Sequence, residues 1–382
     1  MSEEQKPYRV YRGGRVKGKV PLAGRPAPDQ GKTASGDDGL KRPRRRRYGL
    51  WLALALLTLV AFVLIWLVAA YFSFRSGVAA SNDRLPQSVM GSLTEQGGLL
   101  TAHPTQVLLL GTDGDLTGAR AGARRADSIM VLRTDPKRHR LAYLSIPRDL
   151  RVEIPGYGEE KINSAFQLGG PALALKTVRV LTGLQVNHVV IVDFADFRSV
   201  IDELGGIDVD VPSPIVSNRF DCPYTEERCA TWEGWRFEQG RQHMDGRRAL
   251  VYSRIRENRL DAADNDLTRG ERQQAVIDAL TGKLTSFSTF LKLPFVGDDL
   301  VKPLTTDLSA GQLLQLGWVR FRADGGRTLH CRLGGEPSTV DGQSVIVPTE
   351  DNRAAIAMFA GASAPQPPPP GSGLYGPGCT VG

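Results

Sequence analysis

From Gly49 to Phe74 the chain carries no charged residue. About 20 apolar residues at helical rise cross a hydrocarbon core, so the run predicts one transmembrane helix over 49–74. Trp51 and Tyr71 stand near its ends, where aromatic rings favour the interface. Residues 1–48 hold 14 Lys/Arg against 5 Asp/Glu and end in Lys41-Arg42-Pro43-Arg44-Arg45-Arg46-Arg47. The positive-inside rule puts that segment in the cytoplasm and everything after Arg75 outside. A cleaved signal peptide is disfavoured, because the apolar run is too long and its leader too extended. The expectation is a single-pass signal anchor in a cell membrane.

The same count disposes of a nucleic-acid reading. The chain's net charge is +7, yet residues 1–48 alone carry a surplus of nine positive charges, so the rest is about two short of neutral. The basicity is a topology signal and an attraction to anionic lipid, and it is no groove for DNA. The 1–48 tail is too polar to bury a core and is expected to be disordered. All four cysteines, Cys222, Cys229, Cys331 and Cys379, fall on the outer side, where disulfides form. Cys222 and Cys229 enclose a short polar loop, which leaves Cys331 with Cys379. Zinc is the alternative, but no common zinc spacing is present.

Past a short stalk over 75–100, Val107–Leu110, Ser128–Arg133 and Leu141–Ile146 read as strands, with Asp135-Pro136-Lys137 as a turn. A helix is expected over 171–182, then a strand over 188–192, a helix over 196–204 closed by Gly205-Gly206, and a strand over 207–211. Residues 268–284 have the pattern of an amphipathic helix with Ala275, Val276, Ala279 and Leu280 inward. Strands mixed with helices indicate a layered α/β domain over 101–360, followed by a Pro/Gly-rich tail over 361–382.

Arginines carry the chemistry. Arg254 and Arg256 are two apart, so in an extended segment they share a face. Arg269, Arg272 and Gln273 stand at i, i+3 and i+4, so on a helix they share one too. Guanidinium forks grip phosphate oxygens bidentately, which makes converging arginines a sign of phosphate or pyrophosphate recognition. Arg125 and Arg148 flank strand ends. Asp113 and Asp127, in strand-adjacent loops, could hold Mg2+ together with phosphate oxygens, although Asp-Gly is also a common turn. GxSxG, HExxH and P-loop patterns are absent from the sequence, and the five histidines are scattered. With no evident protein nucleophile, direct transfer between bound substrates is favoured.

These segments assemble into a family pattern. The chain resembles the LytR–CpsA–Psr family of bacterial envelope proteins through Leu109-Leu110-Gly111-Thr112-Asp113, Arg125-Ala126-Asp127-Ser128-Ile129-Met130 and Ser145-Ile146-Pro147-Arg148-Asp149. The likeness continues through Lys161–Phe166, Val192-Asp193-Phe194, Asp202–Ile207, Ala249–Arg256 and Asp266–Gln274, and covers about 105–285 in family order. The resemblance implies a three-layer α/β/α sandwich with a mixed central sheet, preceded by the transmembrane helix. It further implies an enzyme that moves a glycopolymer from a polyprenyl-pyrophosphate donor to peptidoglycan as a phosphodiester, with Mg2+ on the pyrophosphate and the polyprenyl chain in an apolar tunnel. Carried over by position, Asp113 and Asp127 resemble the metal-site acids. Arg125, Arg148, Arg254, Arg256, Arg269 and Gln273 resemble the pyrophosphate-binding set, and Arg148, Arg254 and Arg256, with Asp266, are the catalytic candidates. Asp266 resembles the acid that orients the arginines. The general base stays open among Asp113, Asp266 and another acid. Candidate tunnel residues are Phe166, Phe194, Phe197 and Val200, against plain core packing for each. One departure is Gly114-Asp115 after the first acid, where family members often have an arginine; Arg120 or Arg124 could serve instead. A lipid-pyrophosphate hydrolase would use the same residues. A membrane-bound transcriptional regulator would need a DNA-reading module that 1–48 lacks, and a lipid-binding receptor would need no turnover.

Overall fold

The computed structural model describes residues 45–113, 125–261, 268–370 and 376–382. Of the compact unit Met1–Leu57, the described part is helical. Helix α1 (Arg45–Asn82) holds the expected span, and its segment Tyr48–Asn82 is long and apolar enough to cross a membrane.

The unit Thr58–Gly382 is built on a seven-stranded sheet. Its elements in chain order are β1 (Thr105–Thr112), β2 (Ala126–Asp135), β3 (Arg140–Ile146), α2 (Ser164–Thr182), β4 (His188–Asp193) and α3 (Phe194–Glu203). They continue with α4 (Gly246–Arg254), α5 (Thr268–Leu284), α6 (Phe287–Val301), β5 (Thr305–Thr306), α7 (Ala310–Arg322), β6 (Leu329–Arg332), α8 (Asp351–Ala360) and β7 (Gly378–Val381). The order across the sheet is β5-β4-β1-β2-β3-β6-β7. β1–β4 and β3–β6 pair in parallel and the other neighbours antiparallel, which makes the sheet mixed.

Side chains alternate across a strand, and here both sets are apolar. Leu108, Leu110, Ile129, Val131, Ala142, Leu144, Val189 and Ile191 point to one face, where they join buried residues of α2 and α8 in one core. Leu109, Ser128, Leu132, Val190 and Val192 point to the other, toward α3, α4, α5 and α6. The result is an α/β/α sandwich.

The expected helix over 171–182 is the second half of α2. Gly169 and Gly170 depart from helical geometry there, and Gly170 has φ of 65°, a backbone setting that costs glycine little. Within the expected stalk over 75–100, Leu85 and Val89 join the core under α2 and α8, Val78 packs with α6, and Leu100 is also buried. The expected Pro/Gly-rich tail likewise ends in β7, the edge strand paired with β6 in the register Cys331↔Cys379. Both expected disulfides, Cys222–Cys229 and Cys331–Cys379, are present.

Beyond the cavity, on the same sheet face, His330 stacks on Tyr143 with ring centroids 5.6 Å apart, and its Nδ1 lies 2.8 Å from Gln274 Oε1. Burial pushes the Tyr143 phenol far up, helped by Asp278, and pushes the His330 imidazole down.

Candidate functional site

Between the second sheet face and its covering helices lies a cavity of about 460 Å3. Its walls are Leu109, Val190 and Val192 from the sheet, Phe197 and Val200 from α3, and Val276 and Leu280 from α5, with Leu284, Leu300 and Leu304 also lining it. These sheet residues are half-buried while their alternates are fully buried: the strands hold one apolar face against a packed core and the other against open space. Of the four tunnel candidates, Phe194, Phe197 and Val200 line the cavity. Phe166 packs into the opposite core beneath α2 and does not.

Polar residues collect at one part of the lining: Asp127, Ser128, Ser253, Arg254, Arg256, Arg269 and Gln273. Three guanidinium groups face one carboxylate there, so the field favours an anion. Gln273 ties the group together. Its Oε1 accepts from Ser128 Oγ at 2.9 Å and its Nε2 donates to the Ser253 carbonyl at 3.4 Å, linking β2 to the end of α4. Buried Arg269 donates to the Asp127 carbonyl at 3.4 Å. Arg148 Nη1 donates to Asp127 Oδ1 at 2.8 Å and its Nε to Asp149 at 3.3 Å, while Lys161 pairs with Asp149 at 3.0 Å. Arg148 thus reaches the cavity through Asp127 and does not itself line it.

Arg254 is the last residue of α4, where the helix dipole favours a cation. The 254–256 pair is therefore a helix end turning into extended chain at Ile255, not a strand. The Arg254 guanidinium lies 4.7 Å over the Phe194 ring and 5.8 Å from that of Phe220, and it pairs with Asp221. Asp221 was not anticipated from sequence. It is a non-glycine residue at φ 48°, next to the Cys222–Cys229 bridge, and only that cysteine pairing hinted at an ordered loop there. Arg272 shares the helix face of Arg269 and is buried like it, but donates to the Ile255 carbonyl and to Thr268 Oγ1. It holds the Arg254–Arg256 turn and leaves the cavity to Arg269 and Gln273.

Arg125 is exposed and turns away, its Nε donating to Gln167 at 3.2 Å. Its backbone N–H donates to Asp113 Oδ1 at 3.2 Å. Asp113 and Asp127 come to the same end of the β1/β2 pair, since Thr112 registers with Ala126. Among the described residues no cluster of three or more His, Cys, Asp or Glu converges. Asp127 already shares its carboxylate with Arg148, so an Mg2+ at these two acids would take most of its ligands from water and phosphate. Asp266, Asp115, Arg120 and Arg124 lie outside the described residues.

A model of the LytR_cpsA_psr family matches residues 69–356. The polyisoprenyl-teichoic acid–peptidoglycan teichoic acid transferase TagV of Bacillus subtilis (strain 168) is 31% identical over 278 residues, covering 71% of this chain and 66% of that protein. The regulatory protein MsrR of Staphylococcus aureus (strain COL) is 32% identical over 213 residues, 55% of this chain and 58% of its own length. The match thus spans less than two thirds of either relative. Among solved structures, TagT bound to LIIa-WTA superposes with a TM-score of 0.54 at 26% identity, covering 70% of this chain and 94% of that one.

Proposed function

Because this chain belongs to the LytR_cpsA_psr family, we propose that it transfers a glycopolymer from a polyprenyl-pyrophosphate carrier to peptidoglycan in bacterial cell-wall assembly. The observation that carries this reading is the joining of an apolar cavity to a rim of Arg254, Arg256, Arg269 and Gln273. That combination suits a ligand with a long hydrocarbon tail and a pyrophosphate head. The names of TagV, a teichoic acid transferase, and of TagT bound to LIIa-WTA support it.

In this reading the prenyl chain occupies the cavity and the pyrophosphate meets the arginines. A peptidoglycan hydroxyl attacks the phosphorus nearer the glycan and the P–O–P bond breaks. Polyprenyl phosphate leaves, and the hydroxyl proton passes to a carboxylate of the site. No protein nucleophile is required; positioning and charge neutralisation supply the rate. Arg254, Arg256 and Arg269 stabilise charge on the transferring and leaving oxygens, Arg148 holds Asp127 in place, and Gln273 fixes the spacing of β2 from α4. Arg125 and Asp266 complete the proposed set by position in the family motifs. Mg2+ held by Asp113, Asp127 and the pyrophosphate would neutralise further leaving-group charge. Residues 1–48 form the cytoplasmic tail, 49–74 the anchor, and the domain works outside the membrane, where its acceptor is found.

The test uses the full chain in lipid nanodiscs with a polyprenyl-pyrophosphoryl oligosaccharide, Mg2+ and peptidoglycan fragments, with products read by mass spectrometry. A phosphodiester-linked conjugate that requires the acceptor is the expected result. Polyprenyl phosphate released without conjugate would mean a hydrolase, and donor binding without turnover a receptor.

A further inference from the structure

Helix α6 carries a row of apolar side chains exposed to solvent: Phe287 at 74%, Phe290 at 42%, Leu291 at 51% and Phe295 at 80%. Soluble surfaces seldom present such a concentration without a partner. The C-terminal end of the same helix is spoken for: Leu300 lines the cavity, and Leu300 and Val301 pack with Val78 and Phe74 of α1.

Contacts between α6 and α1 give the exposed row a height. Asp298 N donates to Ser73 Oγ at 3.2 Å. Gly77 approaches Asp298 so closely that a Cβ on it would stand 2.7 Å from the Asp298 carbonyl oxygen. Twelve ångströms away, to first order, the rings of Trp66 and Phe290 lie 4.8 Å apart; Phe290 precedes Asp298 by eight residues, about 12 Å of helix. α6 therefore runs alongside α1 in the same direction. Its first turns are level with Trp66, nine residues, or about 13 Å, inside the charge-free run that ends before Arg75.

Charge along α6 marks the same boundary independently. From Phe287 to Gly297 the one charged residue is Lys292, and then come Asp298 and Asp299. Two unrelated segments thus change from apolar to charged at one level, with Asp298 beside Ser73 and Arg75 two residues further on.

We propose that the N-terminal half of α6 is a second membrane contact, lying in the outer leaflet beside the anchor with Phe287, Phe290, Leu291 and Phe295 in lipid. Lys292 would extend its stem toward the phosphate layer. Leu300 of the same helix lines the cavity, so a lipid-bound α6 places the cavity beside the outer leaflet from which a prenyl tail would come. The inference rests on reading α1 as a membrane span with the domain outside.

All four cysteines are in disulfides, so an introduced thiol can be labelled alone. Full-length Phe287→Cys, Phe295→Cys, Leu59→Cys and Val180→Cys would carry an environment-sensitive fluorophore in phosphatidylcholine–phosphatidylglycerol vesicles, with and without brominated acyl chains. Leu59 lies in the span, and Val180 is an exposed residue of α2. The expected result is emission quenched about twofold or more at 287 and 295, as at 59, and unchanged at 180. Quenching at 59 with none at 287 and 295 would overturn the lipid contact while leaving the span intact, and would point to a protein covering α6. No quenching at 59 would remove the span and the inference together.

Discussion

Replacing Arg254 tests the assignment of the rim most directly. Arg254→Ala deletes one of three guanidinium groups facing the polar end of the cavity. Removing a single preorganised donor from a developing oxyanion costs about 2.7–4 kcal/mol, a hundred- to a thousandfold in rate. The effect on folding should be far smaller. Arg254 is 32% exposed and its partner Asp221 45% exposed, and pairs of that kind contribute about 0–1 kcal/mol. For a domain of this size that is a melting shift of about 2–4 °C at most. Arg254→Lys keeps the charge but loses the fork and the flat cation over Phe194, and should fall between, about tenfold below wild type. Conjugate formation by mass spectrometry and thermal melting would be measured on the same preparations. Activity of Arg254→Ala within about threefold of wild type, at unchanged melting, would show that the arginine does not meet the transferring phosphate. A collapse of melting in parallel with activity would assign it to the fold instead.

Val190→Trp projects a large ring into the cavity from β4; conjugate formation should drop at least about tenfold, with the melting temperature within a few degrees because open space receives the ring. Chelation of divalent cations should abolish turnover and added Mg2+ restore it, and Asp127→Asn should raise the Mg2+ concentration needed; restoration at unaltered Mg2+ would free Asp127 of a metal role. Burial holds the His330 pKa below its ordinary value, so the unfolded chain takes up a proton there before the folded one does. Stability is therefore full above the ordinary histidine range and declines as pH falls below about 6.5 toward the lowered value. His330→Gln should flatten that acid decline in melting experiments, and an unchanged slope would assign it to other groups.

Much of this protein was legible without coordinates. The charge-free run, the strands VLLLGT and SIMVLR, the helix over 268–284 and the Cys222–Cys229 pair are local or compositional signals, each set by a physical preference acting over a short stretch of chain. The sequence spacing also grouped Arg254 with Arg256 and Arg269 with Gln273, and all four line one cavity. Tertiary structure decided the rest. Period-two alternation cannot be read where both faces of a strand are apolar, so the sequence could not tell that Leu108 is packed core and Leu109 a cavity wall. Helical spacing grouped Arg272 with Arg269, yet only the approach of the Ile255 carbonyl makes Arg272 a support and leaves Gln273 to bridge Ser128 and Ser253. Phe166 and Phe197 are alike as side chains, and it is the sheet between them that sends one into core and the other into the cavity. Asp221 meets Arg254 from 33 residues away, a contact that the neighbouring Cys222 does not specify. A composition or a period is written in the chain itself; a convergence of distant residues exists only once loop closure has brought them together, and the chain order carries no record of it.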